Sequence, residues 1–186
     1  MRLFIAIEIP ENIRAAFAAL LKDFRALAPQ LKWVRPENLH VTLKFLGETD
    51  PSKLGPLQNV LSGIRSSEPV NLEFRGLGFF PNEKRPRVFW AGMEGSVNLK
   101  TLAADIDQAV HKLRFTLEER PYAPHLTLAR ISLPIIPPKL LRAIGEKSSQ
   151  TFGSLNTREF HLIESKLKPT GAEYTTVQSF HFASEA

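Results

Sequence analysis

The sequence predicts an α+β fold of two lobes related by a pseudo-twofold axis, each lobe an antiparallel sheet flanked by helices. Two observations carry this. Short, β-prone apolar runs alternate with helical patterns along the chain, and one strand motif occurs twice, as His40-Val41-Thr42-Leu43 and His125-Leu126-Thr127-Leu128. The two histidines are 125 − 40 = 85 residues apart, and the same offset overlays Phe4 on Phe89, Ala6 on Ala91, Arg35 on Arg120 and Pro36 on Pro121. One register thus aligns a strand, a helix, an Arg-Pro turn and a motif strand in each half. The expected organisation is a single bilobal domain over residues 1–186, with repeats at about 2–46 and 87–131 and the motif strands facing a central cleft.

The elements follow in order. Residues 2–9 (RLFIAIEI) are β-like, and Pro10 closes the run. Ile13, Phe17, Leu20, Leu21, Phe24 and Leu27 recur at helical spacing, and Pro29 ends that helix. A short extended piece (32–34) and an Arg35-Pro36 turn lead to the first motif strand, stopped by Gly47. Asp50-Pro51 opens a helix expected to reach about residue 65. Residues 70–80 form a strand made irregular by Gly76 and Gly78, followed by the charged turn NEKRPR and a strand at 87–93. Ser96 is positioned to cap a helix with apolar face Leu99, Leu102, Ile106, Val110 and Leu113. After a turn-rich stretch comes the second motif strand (126–131), a proline-broken loop, a short helix to about 147, and two closing strands near 158–167 and 174–182 with Gly171 in the loop between them.

The composition narrows the function classes. A chain with 43% hydrophobic and 23% charged residues is an ordinary globular protein, neither disordered nor membrane-spanning. No apolar run approaches the ~20 residues a bilayer span needs. There is no cysteine, so disulfides and thiolate metal sites are excluded, which fits a reducing, cytoplasmic location. The N-terminus reads as a strand rather than a leader peptide. A net charge of +5 permits a polyanionic partner.

In a strand, residues two apart share a face, so His40 joins Thr42 and His125 joins Thr127. Imidazole titrates near pH 6.5, so of two facing rings one can be neutral and one protonated near neutral pH. That is the requirement for general base and general acid acting in one step. In-line displacement at a phosphorus centre uses such a pair, and threonine hydroxyls can donate to its non-bridging oxygens. Thr lacks the charge of Lys or a metal ion, which favours a modestly charged diester, and a strained cyclic diester above all. A metal site built from these histidines lacks the close spacing and carboxylate partners expected of one.

The paired His-x-Thr motifs, together with RLFIAIEI (2–9), WVRPENLHVTLKFLG (33–47), PRVFW (86–90), PHLTLAR (124–130) and LKPTGAEY (167–174), resemble the two-histidine phosphoesterases, and among them the bacterial and archaeal RNA 2′,3′-cyclic phosphodiesterases, historically called 2′-5′ RNA ligases. The resemblance covers essentially the whole chain. It implies hydrolysis of a terminal 2′,3′-cyclic phosphate to a 2′-phosphate on RNA or oligonucleotide 3′ ends, without cofactor or metal. It implies His40 as proton donor to the departing 3′-oxygen, His125 as proton acceptor from water, and Thr42 and Thr127 as phosphate ligands. The residues themselves do not distinguish the two rings. A monomer is expected. Two alternatives accompany this reading. One is 2′-5′ ligation, or cleavage of other cyclic or 2′,5′-linked nucleotides. The other is a non-catalytic RNA-end binding module, which has no use for an acid–base pair.

Other residues suit structural or solvated roles as well as functional ones. By strict alternation Lys44 shares the face of His40, and Arg130 points away from His125 unless the strand twists. Lys84, Arg85 and Arg87 suit either an RNA backbone or a solvated turn. Trp33, Phe45, Phe79 and Phe80 suit the core better than base stacking. His111 is expected on a solvated helix face, and His161 and His181 in structural positions.

Overall fold

The computed structural model describes residues 1–169 and 171–183; Thr170 of the LKPTGAEY segment lies outside the described residues. The strands are β1 (Arg2–Glu8), β2 (Lys32–Trp33), β3 (His40–Glu48), β4 (Val70–Phe80), β5 (Val88–Gly95), β6 (His125–Arg130), β7 (Thr151–Thr157), β8 (Glu159–Lys168) and β9 (Gly171–His181). The helices are α1 (Glu11–Leu27), α2 (Leu54–Leu61), α3 (Val97–His111) and α4 (Pro138–Glu146). The antiparallel strands run in the order β7-β4-β5-β6-β3-β1-β8-β9, with β2 beside β6. The two halves of this curled sheet, β3-β1-β8-β9 and β6-β5-β4-β7, meet at the two motif strands. There the pairing is a single bridge, Val41 to Leu126.

The core forms where helices cover the sheet. Ile13, Phe17, Leu20, Leu21 and Phe24 make the buried face of α1, while Leu27 at its end stays 38% exposed. Phe17 stacks on Phe152 of β7 and meets Phe74 of β4 edge-on. Leu99, Leu102, Ile106 and Val110 form the buried stripe of α3. Strand β1 is buried on both faces. Leu3, Ile5 and Ile7 face the helices, while Phe4 and Ala6 join Ile163 and Tyr174 on the other side. This explains its unbroken apolar run.

Several elements depart from the sequence reading. Asp50 does cap, accepting from Ser52 N at 2.8 Å, but the chain makes a short 3₁₀ turn at Pro51–Lys53 before α2, which ends at Leu61 rather than near 65. Ser96 stands at the start of α3, yet its hydroxyl accepts from Asn71 N instead of capping. Strand β7 has no counterpart in the sequence reading, because TFGSLNT has neither alternation nor an apolar run. Gly171 is not in a loop; it begins β9, opposite Lys168. The 85-residue offset holds within the motif strands but not beside them. Glu8 pairs with His40 and Gly92 with His125, so β1 and β5 correspond at 92 − 8 = 84. Phe4 and Phe89 are therefore not equivalent: Phe4 contacts His40, while Phe89 packs in the helix-side core against Phe24 and Trp33.

Among the described residues, no helix is long and apolar enough to cross a membrane.

Candidate functional site

Extending the Val41–Leu126 bridge by one residue each way sets His40 opposite Thr127 and Thr42 opposite His125. All four side chains then share a face, and the two histidines are diagonal neighbours, a relation that places Cα atoms roughly 7–8 Å apart.

Both rings are held the same way. Nδ1 of His40 bonds the Asn38 carbonyl at 2.7 Å, and Nδ1 of His125 bonds the Ala123 carbonyl at 2.8 Å. A carbonyl only accepts, so Nδ1 carries the proton in each ring and the neutral ring's Nε2 is the acceptor atom. Asn38 also donates from Nδ2 to the Ala172 carbonyl, tying the turn that orients His40 to the β8–β9 hairpin. Tyr122 donates to the Thr42 carbonyl at 2.9 Å, fastening the loop before β6 onto β3. Burial pushes the Tyr122 hydroxyl pKa up, which keeps it a donor.

The surroundings of the two rings differ. His40 lies 4.7 Å from the Phe4 ring and 5.3 Å from Tyr174, whereas His125 meets Phe80 edge-on at 5.0 Å. Burial holds the His40 imidazole below its ordinary 6.5, the positive charges of His125 and Arg130 add to this, and the bond to Asn38 opposes it. Burial raises the Tyr174 hydroxyl, opposed by Arg130 and Arg2. Both arginines thus project their charge onto the cleft.

A cavity of about 220 Å³ opens beside His40. Its walls include His40, Thr42, Thr127, Arg130, Arg2 and Tyr174. His125 is not part of that lining; it flanks Thr127 on the same strand, beside Phe80. Three of the four motif side chains thus line one cavity and the fourth adjoins it.

Lys44 and Arg130 take the opposite faces from those that alternation assigned. Each motif strand carries a bulge, at Leu43 where Lys44 pairs Ile5 and Thr42 pairs Ala6, and at Leu128 where Ala129 pairs Phe89 and Thr127 pairs Trp90. The extra residue inverts the alternation beyond it. Lys44 is consequently buried, with an ion pair to Asp107 of α3 at 2.5 Å and a bond to the Thr116 carbonyl. Phe45 and Arg130 turn to the cleft. The two strands show the same sequence of half-buried, buried and exposed positions over six residues.

Of the aromatics singled out from the sequence, Trp33 and Phe79 pack on Phe89 in the core. Phe80 touches His125, and Phe45 stands on the cavity rim. Lys84, Arg85 and Arg87 sit on or beside their turn, where Asn82 accepts from the backbone of Lys84 and Arg85. His111 is exposed, but its ring bonds the Phe115 carbonyl just past α3. His161 is buried against Ser179, and His181 lies exposed near Glu159. Arg2, Asn38 and Tyr174 are site residues that the sequence reading did not single out. Arg2 and Tyr174 lie within segments that matched the resembled family, but only strand pairing brings them to His40. Among the described residues, no three His, Cys, Asp or Glu side chains converge as a metal site.

The profile of the LigT-like phosphoesterases matches residues 7–90 and again residues 93–174. The chain belongs to the LigT-like phosphoesterase family. It is 36% identical over 181 residues to a Methanothermobacter thermautotrophicus protein named RNA 2′,3′-cyclic phosphodiesterase, covering 97% of this chain and 98% of that one. The crystal structure of a Thermus thermophilus protein superposes with a TM-score of 0.81 at 33% identity, covering all of both chains. E. coli LigT complexed with 3′-AMP superposes with a TM-score of 0.76 at 27% identity, covering 98% of both. The two stretches of this phosphoesterase that match the profile contain one motif strand each.

Proposed function

We propose that this phosphoesterase hydrolyses the terminal 2′,3′-cyclic phosphate of RNA or oligonucleotides to a 2′-phosphate, by two-histidine acid–base catalysis. The observation that carries the proposal is the pair of matched histidines on adjacent strands, each with Nδ1 pinned by a carbonyl and Nε2 left for chemistry. Full-length relatives named for this activity, and a nucleotide bound to E. coli LigT, support the substrate class.

His125 Nε2 takes a proton from water as its oxygen forms a bond to phosphorus. The bond from phosphorus to the 3′-oxygen breaks, and His40 Nε2 supplies the proton that oxygen needs. Thr42 and Thr127 donate to the non-bridging oxygens, and Arg130 contributes positive charge where negative charge builds up. The leaving oxygen stays attached to its nucleoside, so the nucleoside lies on the His40 side, where the cavity is. Incubation of an oligonucleotide ending in 2′,3′-cyclic phosphate, with EDTA present, is the direct test. A 2′-phosphate is expected; a 3′-phosphate, or no product, overturns the assignment.

The roles set a pH dependence. A donor must be protonated, so kcat/KM falls as pH rises through the His40 pKa of the free enzyme, which lies below 6.5. The bound diester is an anion and stabilises the imidazolium. The alkaline limb of kcat therefore lies at higher pH than that of kcat/KM. Coincident limbs in the two profiles would refute this electrostatic account.

A further inference from the structure

The bulge at Leu43 turns Phe45 outward. Val41 and Leu43 of the same strand are buried, yet the Phe45 ring is 62% exposed, with Phe4 as its aromatic neighbour at 6.1 Å. Leaving that much apolar area in water forgoes the stabilisation its burial would bring. Phe45 is also the residue common to two hollows. One is the cavity beside His40; the other, of about 310 Å³, is lined by Lys44, Thr116, Glu118, Glu119 and Arg120 among others.

The first cavity, at about 220 Å³, is small even against typical ligand pockets, which start at about 300 Å³. The cyclic phosphate and its own nucleoside take that space, beside His40, Thr42 and Thr127. An RNA chain continuing in the 5′ direction has to leave it. Phe45 offers the exposed ring at the rim toward the second hollow. Arg2 and Arg130 bring positive charge to the inner side of that rim, suited to the linking phosphate. The outer hollow carries both signs, Glu118 and Glu119 beside Lys44 and Arg120, so it offers a phosphate no net attraction, while a neutral base is compatible with it.

We propose that Phe45 is the stacking platform for the nucleobase immediately 5′ of the cyclic end, forming a subsite for the penultimate nucleotide. This rests on the cyclic-end reading above. Stacking on an aromatic ring tolerates any base, so the subsite reads chain length rather than sequence.

The test compares a dinucleotide ending in 2′,3′-cyclic phosphate with the corresponding 2′,3′-cyclic mononucleotide. Wild type is expected to show kcat/KM at least about ten-fold higher for the dinucleotide, the scale of one base–aromatic stack. Phe45→Ala should bring that ratio toward one, and Phe45→Trp should restore it. A wild-type ratio near one, or an equal loss on both substrates in Phe45→Ala, would overturn the subsite. Absence of turnover on both substrates by wild type would instead strike the cyclic-phosphodiesterase reading and the subsite with it.

Discussion

Alanine in place of either His40 or His125 is expected to cut kcat on a 2′,3′-cyclic end by roughly 10²–10⁴-fold, the usual worth of a positioned acid or base. On the proposed mechanism the two rings act in one displacement, so the double variant should be little worse than the poorer single one. Neither change should unfold the chain, since neither ring belongs to the helix-covered core. Circular dichroism and thermal melting check that point. Full activity in either variant would remove that histidine from the mechanism. A second substrate separates the roles. In a 2′,3′-cyclic end whose 3′-bridging oxygen is replaced by sulfur, the leaving thiolate departs without a proton, so loss of the acid matters little while loss of the base still matters. His40→Ala should therefore retain a much larger share of wild-type activity on the sulfur-bridged end than on the oxygen-bridged one. His125→Ala should lose about as much on both. The opposite pattern would exchange the two assignments.

That exchange is a physical question because the free enzyme favours neutral His40. Burial and the charges of His125 and Arg130 lower its pKa. A lowered pKa makes the ring a stronger acid once protonated but leaves it protonated less of the time. Binding an anionic diester beside it reverses the second effect and keeps part of the first. The ring that looks less suited to carrying a proton in the empty cleft is thus suited to delivering one in the complex.

The helix faces of α1 and α3 and the motif strands were legible because each follows one periodicity over many residues. What periodicity cannot announce is a single inserted residue. Leu43 and Leu128 look like any strand leucine, yet the bulge at each reverses the alternation and exchanges the expected places of Lys44 and Arg130. The one-residue difference between the flanking strands was hidden for a similar reason. Two chance identities, Phe4 with Phe89 and Ala6 with Ala91, concealed opposite faces. Arg2 reaches His40 through β1 with β3, and Tyr174 through the β8–β9 hairpin set against β1, a pairing of β1 with β8 between the chain ends that no local pattern encodes. The four motif residues needed none of this, since a repeated pair on adjacent strands specifies its own juxtaposition.

The misplaced lysine carries the second large effect. Lys44 is 6% exposed and Asp107 16%, and the pair joins β3 to α3. Lys44 also donates to the Thr116 carbonyl, and Asp107 accepts from the Glu118 amide. Removing one partner of a buried pair leaves a charge without compensation, a loss of about 3–5 kcal/mol. Lys44→Ala is accordingly expected to lower the melting temperature by roughly 10 °C, at about 2–4 °C per kcal/mol for a domain of this size. Lys44→Met combined with Asp107→Leu removes both charges and should recover most of that loss. The consequence extends to catalysis. Residues 116–120 lead into Pro121 and Tyr122, whose hydroxyl on the Thr42 carbonyl joins the two halves of the sheet beside the Val41–Leu126 bridge. Slack in the 116–120 segment is transmitted through Tyr122 to the register between His40 and His125. At a temperature where Lys44→Ala remains folded, kcat should fall while KM moves little, because the His40-side cavity keeps its own walls. A variant that melted early but turned over at the wild-type rate would show that the ion pair stabilises the fold without setting the alignment of the two rings.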